Sequence, residues 1–293
     1  MTTTSRRGAP MRAPARHNPL MTGAEIGRYL LGDELLRLRQ AAGLRQQDAA
    51  RAGVSASRLS QAERGLVSLP TSDIARLLNL YGAGRTVRTD VAALRDAIPP
   101  DPADGEEAVA DVRDRGSGRW ARLATTTNRA EGLTEVSTGY LPPRVQTAEY
   151  ATALIRERAT GAAPDVVMAM TGRCGAARGD VVITQPVLGR EVGGPRVMAA
   201  QLEHLARLAS RPGPVTVRVI PLGVVPTVCG LLRLLTPSPD HPGVVVRVHP
   251  AHVTYHVGAL TRITVRHLLE HAADPAWSGA MIRAAARRYG GAQ

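Results

Sequence analysis

Phenylalanine and lysine are both absent from this 293-residue chain, and aromatic residues reach only 3%. A core without phenylalanine has to be packed from Ala, Leu, Val, Ile and Met, which the 44% hydrophobic content can supply. With no lysine, all 37 basic residues are arginine. Such a bias, with abundant Ala, Gly and Pro, matches the codon usage of a GC-rich genome. It also leaves a surface whose cations bind phosphate bidentately. Two cysteines, Cys174 and Cys229, are too few for a disulfide framework, and neither has neighbours at metal-ligand spacing. No apolar run is long enough to span a bilayer, and the Thr/Arg/Pro-rich start lacks the apolar centre of a signal peptide. The expectation is a soluble cytoplasmic protein with reduced thiols. A Gly-rich phosphate loop and a nucleophile elbow are both missing, so neither an enzyme nor a cofactor is expected.

What the chain does have is unevenly placed positive charge. Its net charge is +12, and residues 1–90 hold 14 Arg against 7 acids. A basic first third suits a polyanionic partner, because counterion release from phosphates drives association. A basic surface with water as its only partner would look the same on charge alone.

Composition divides the chain into four parts. Residues 1–23, punctuated by Pro10, Pro14 and Pro19 and carrying Arg6, Arg7, Arg12 and Arg16, read as a disordered basic arm. Residues 24–98 are helical in pattern. Residues 99–118, rich in Pro, Gly and charge, read as a linker. Residues 119–293 mix helical and strand-like runs and predict an α+β domain.

Within 24–98, Leu31, Leu35 and Leu38 recur at helical spacing and Gly43 ends that helix. A short segment from Gln46 to Ala52 stops at Gly53. Ser55 then stands where an N-cap belongs, for a helix running to Arg64 and stopping at Gly65. Thr71, Ser72 and Asp73 supply a cap and a negative first turn for a helix over Ile74–Tyr81. In the second half, helices are predicted over Thr147–Glu157, Pro195–Leu208, Thr261–Ala273 and Pro275–Tyr289. Strands are predicted over Val181–Thr184, Val215–Ile220, Leu231–Leu235, Val244–Val248 and Val253–Val257.

The stretch from Leu31 to Gly82 resembles the Xre-type, lambda-repressor-like helix-turn-helix. The ordered matches are Leu35, Leu38, Arg39, Gly43-Leu44, Gln46, Ala50, Gly53-Val54-Ser55, Leu59, Glu63 and Gly65. The resemblance implies a mainly α DNA-binding domain in which one helix crosses the phosphate backbone and the next lies in the major groove. It places Ala56, Ser57, Ser60 and Gln61 at the base-reading positions. Arg58 and Arg64 are set for phosphate, as is Gln46, and Arg39 pairs internally with Glu63. One departure stands out: the family takes four steps from the helix-two Ala to the turn Gly, and Ala50 to Gly53 is three. On a helix one missing residue turns whatever follows by about 100°. The usual large apolar residue of that helix is Ala49 here.

The segments at 145–157, 192–209 and 215–223 resemble the antitoxin-like (DUF5753-type) domain that follows such a helix-turn-helix in a large group of actinobacterial regulators. The resemblance implies an α+β domain for dimerisation or sensing, and double-stranded DNA as a partner. It further implies a homodimer and a small neighbour-encoded protein as a second partner. The family's Trp ahead of the Leu-Pro-Pro-Arg segment is missing. Two further readings stay open: an interaction module whose helix-turn-helix is a relic, and an enzyme using the histidines. Six of the eight His lie between His241 and His271, and His267-Leu268-Leu269-Glu270-His271 has the H-x-x-E-H spacing of a zinc peptidase helix. That makes His267 and His271 candidate metal ligands with no third ligand downstream. Solvated histidines are the plainer reading.

Overall fold

Thr22 starts the first helix by accepting a hydrogen bond from the backbone of Glu25, whose carboxylate accepts from the Thr22 backbone in return. The computed structural model describes residues 22–100, 111–158, 177–224, 230–236, 243–249, 251–256 and 259–290. The basic arm expected over 1–23 lies outside these up to residue 21, as do Cys174, Cys229 and His241. Gly23 already belongs to helix α1, Gly23–Ala41.

Helix α1 buries Ile26, Leu30, Leu31, Leu35 and Leu38 along one stripe. A 3-10 segment, Gln46–Ala52, follows, then α2 (Ala56–Glu63), α3 (Thr71–Leu80) and α4 (Arg85–Asp96). Helix α3 starts at Thr71, after Pro70, with no side-chain cap; Asp73 still falls in its first turn.

The remainder is built on one seven-stranded sheet in the order β1-β7-β6-β5-β2-β3-β4. In chain order its elements are β1 (Val112–Asp114), α5 (Arg119–Arg129), β2 (Gly132–Ser137), α6 (Ala148–Arg158), β3 (Gly179–Thr184), α7 (Pro195–Ala209) and β4 (Val215–Ile220). These are followed by β5 (Leu231–Thr236), β6 (Val244–Val248), β7 (Val253–His256), α8 (Ala259–His271) and α9 (Pro275–Gly290). Strands β2, β3 and β4 are parallel, which requires the crossovers that carry α6 and α7. All other pairs are antiparallel. The fold is therefore helical at the N-terminus and α+β beyond it.

Strand alternation assigns the helices to two faces. Val181, Ile183, Val217 and Val219 pack under α6, α7 and α9. Leu133 and Leu235, on the same face by register, pack with Val244, Tyr255 and α1. Val182, Ile220, Leu232 and Val245 point the other way, against Val265 and Leu268 of α8. One hydrophobic cluster runs without a break from Leu59 and Leu77 in the N-terminal helices to Val246 and Val253 in the sheet.

This corrects the linker expected over 99–118. Residues 101–110 lie outside the described region, but Val112–Asp114 is a strand paired with β7, and Val112 is fully buried. Asp114 is turned inward onto Arg122, and that ion pair holds a charged, turn-like sequence in the sheet.

Candidate nucleic-acid interface

The turn ahead of α2 depends on Gly53, which holds a left-handed φ of 69° that a side chain would strain. Ser55 follows in extended conformation and its hydroxyl accepts from the Arg58 backbone, 3.2 Å away. Leu59 is fully buried and fixes the inner face of α2. The outer face then carries Ser57, Arg58, Gln61 and Arg64, all exposed, while Ala56 and Ser60 are half-buried at its edges.

The segment one residue short does not swing α2 away. Gln46–Ala52 winds as a 3-10 helix. Three 3-10 steps from Ala50 to Gly53 turn about 360° and rise about 6 Å, against about 400° and the same rise for four α steps. The exit direction shifts by about 40° instead of 100°. Tighter winding thus takes up the deletion, and the small Ala49, fully buried, lets the segment lie close to its neighbours.

Arg39 and Glu63 meet in a buried two-pronged ion pair, Nε to Oε1 at 2.6 Å and Nη2 to Oε2 at 2.9 Å. Arg39 also donates to the Leu44 carbonyl at 2.7 Å, so α1, the following turn and α2 are tied at one point. Gln46, expected at a phosphate, also makes a contact within the protein. Its amide donates to Glu63 Oε2 at 2.8 Å, so that end of the side chain faces the protein.

Two contributors escaped sequence reasoning. Arg76 on α3 donates to the Ala52 carbonyl at 2.8 Å and pairs with Asp73, which also lies 3.8 Å from Arg58. Asp73 is thus more than a favourable first-turn charge: with Arg76 it links α3 to both flanks of the turn.

Burial and the nearby Glu63 carboxylate push the Tyr81 hydroxyl up to about 12, and burial pushes Tyr150 up to about 12 as well. Both ionise near 10 when unfolded, so unfolding between those values releases protons. The stability they carry is complete below pH 10 and is lost as pH rises towards 12. Tyrosinate absorbance should therefore appear together with loss of helical circular dichroism. Tyrosinate from Tyr81 and Tyr150 forming while the helices stay intact would contradict their burial.

The histidine pattern makes a pair of neighbouring, mutually tilted rings. His267 and His271 are exposed on α8 with ring centroids 4.1 Å apart, and His271 Nδ1 lies 2.8 Å from the His267 carbonyl. Among the described residues no group of three His, Cys, Asp or Glu gathers as metal ligands would. Nor does any helix among them have the length and apolarity to cross a membrane.

Two family models match the chain. One, described as a helix-turn-helix domain, covers residues 30–91. The other, described as a domain of unknown function (DUF5753), covers residues 120–284. No curated protein and no solved structure matches.

Proposed function

The chain belongs to the DUF5753 family, with a helix-turn-helix domain ahead of that domain, and on that premise we propose that it is a sequence-specific DNA-binding transcriptional regulator acting as a homodimer. The observation that carries this reading is the exposed face of α2. A capped, well-anchored helix presents Ser57, Arg58, Gln61 and Arg64 outward, while its acid, Glu63, is turned inward onto Arg39. Gln61 has a side-chain amide whose N–H donates and whose oxygen accepts, matching an adenine edge. Arg58 and Arg64 are cations for the flanking phosphates, and Ser57 serves either. Eight residues span about 12 Å, enough for one half-site. A pair of chains reading half-sites about 34 Å apart gives the needed specificity.

The second domain is assigned the sensing or partner-binding role. Supporting it is an open groove of about 480 Å³ lined by residues of α6, Gly193 and Val197, a size that suits a small molecule. The proposed activity is binding alone, with no chemical step.

Selection of duplexes from a randomised library by the full chain tests the reading. The expected product is a two-fold symmetric site. Gln61→Ala should then cost about 1–3 kcal/mol and relax one base position per half-site, while Arg58→Ala weakens all sequences alike. Selection that enriches no sequence overturns the proposal.

A further inference from the structure

The middle of α1 carries two adjacent carboxylates, Asp33 and Glu34, that are almost fully buried. Burying a carboxylate without a cation costs several kcal/mol. Arg37 on α1 holds Glu34, with bonds of 2.9 and 2.7 Å. The other cations come from α5, which lies in the second family match. Arg122 stands 3.6 Å from Glu34, and Arg129 pairs with Asp33. Thr126, also on α5, donates to the second Asp33 oxygen at 2.8 Å.

Arg129 does more than neutralise Asp33. It donates to the backbone carbonyl of Glu63 at 3.2 Å and lies over the Tyr29 ring, 5.3 Å from its centroid. Glu63 is the last residue of α2. Carbonyls in a final helical turn have no partner within their helix, and a cation there also complements the helix dipole. Helices α1 and α2 meet backbone to backbone at the same place: a Cβ on Gly32 would come within 2.3 Å of the Ala62 carbonyl oxygen. Glu63 is thus held from two sides. Its carboxylate is gripped by Arg39 and Gln46 of the helix-turn-helix, and its carbonyl by Arg129 of the second domain.

We infer that Arg129 is a positioning residue for DNA recognition, supplied by the second domain, which fixes the C-terminal end of α2 against α1 and so sets the angle at which α2 enters the groove. The inference rests on the DNA-binding reading above. It makes the base-reading helix dependent on α5, so whatever displaces α5 from α1 loosens the grip on sequence.

The test uses the full chain with Arg129→Lys and Arg129→Ala. Lysine keeps a positive charge opposite Asp33, so the buried carboxylate stays compensated. Its ammonium cannot, however, serve Asp33, the Glu63 carbonyl and the Tyr29 face together as the planar guanidinium does. Each variant is titrated against the library-selected duplex and a scrambled duplex, and amide hydrogen exchange is followed across α2. The expected result for Arg129→Lys is a folded protein with faster exchange in the last turn of α2. Its preference for the selected duplex should fall about tenfold, the worth of one hydrogen bond to a charged group. Scrambled-duplex affinity should stay unchanged. Wild-type preference and exchange in both variants overturns the inference. Failure of both variants to fold overturns it too, since Arg129 would then serve stability alone. A wild-type chain with no preferred duplex defeats the DNA reading itself, separately from the comparison of variants.

Discussion

Arg122→Ala is expected to destabilise the protein by about 3–5 kcal/mol, a large part of the roughly 5–15 kcal/mol that holds a domain together. The Arg122 side chain is fully buried. Its Nε and Nη2 donate to the two oxygens of Asp114 at 2.7 and 2.8 Å, and Glu34 lies 3.6 Å from Nη1. Truncation leaves Asp114 buried without a cation in a three-residue edge strand whose inward residues are Val112 and Asp114. Strand β1 should detach from β7, and α1 should lose part of its seat on the sheet. The double replacement Arg122→Met with Asp114→Leu removes both charges and should recover most of the loss, because a buried pair exchanged for apolar residues is often close to neutral. Denaturant titration of the three proteins measures this. A single variant within about 1 kcal/mol of the native chain would show the pair to be solvated.

Gly65→Ala is expected to cost about 2–5 kcal/mol, the sum of two separate penalties. Gly65 has φ of 74°, in the left-handed region, where a Cβ costs about 1–2 kcal/mol. That Cβ would also stand 2.7 Å from the Cα of Tyr29 and 2.9 Å from its nitrogen, both backbone atoms that cannot swing aside. Relief requires α1 and α2 to move apart, at about 1–3 kcal/mol for overpacking. Gly43→Ala separates the two effects. Gly43 has φ of 70° but nothing within 4 Å of an added Cβ, so it should show the conformational penalty alone. Thermal melts of both variants decide the matter, and equal losses would mean that the approach of Tyr29 is not a constraint. Because the movement separates α1 from the recognition helix, Gly65→Ala should also weaken sequence preference where Gly43→Ala does not.

The helix-turn-helix was legible because its signals are local. A cap at Ser55, left-handed glycines at 53 and 65 and inward leucines at helical spacing all sit within a few residues of what they determine. The same holds for the start of α9, where Asp274 accepts from the Trp277 backbone at 2.9 Å just ahead of Pro275. What stayed hidden is β1, α5 and β2, three successive elements that share one property. Each turns polar residues inward, where charged and polar partners on other elements hold Asp114, Arg122, Thr126 and Glu135. In β2, Glu135 faces the core and pairs with Arg233 directly opposite on β5, 3.0 Å away, breaking the apolar alternation. In α5, Arg122, Thr126 and Thr127 are buried with Trp120 and Leu123, so its apolar stripe is too thin to read. In β1, Asp114 is the inward residue. These charges also account for the difference in domain organisation. Asp33 and Glu34 lie three and four residues beyond Leu30, on the buried side of α1. An acid pair on that stripe is the sequence trace of a second domain packed there.

Gln46 shows what a motif match leaves open. The residue stands at the matched position, but its amide is taken by Glu63. A motif fixes which residue occupies a place, whereas the neighbouring charges decide where its polar end points.

Helix α2, steadied by both domains, is proposed to read base sequence. Titration of the full chain against its library-selected duplex and a scrambled duplex of equal length, repeated across salt concentrations, tests it most directly. Both affinities should fall linearly on a log–log scale with rising salt, from shared phosphate contacts, while a preference for the selected duplex of about 10³-fold or more remains. Equal affinity for the two duplexes, vanishing together as salt rises, would contradict it.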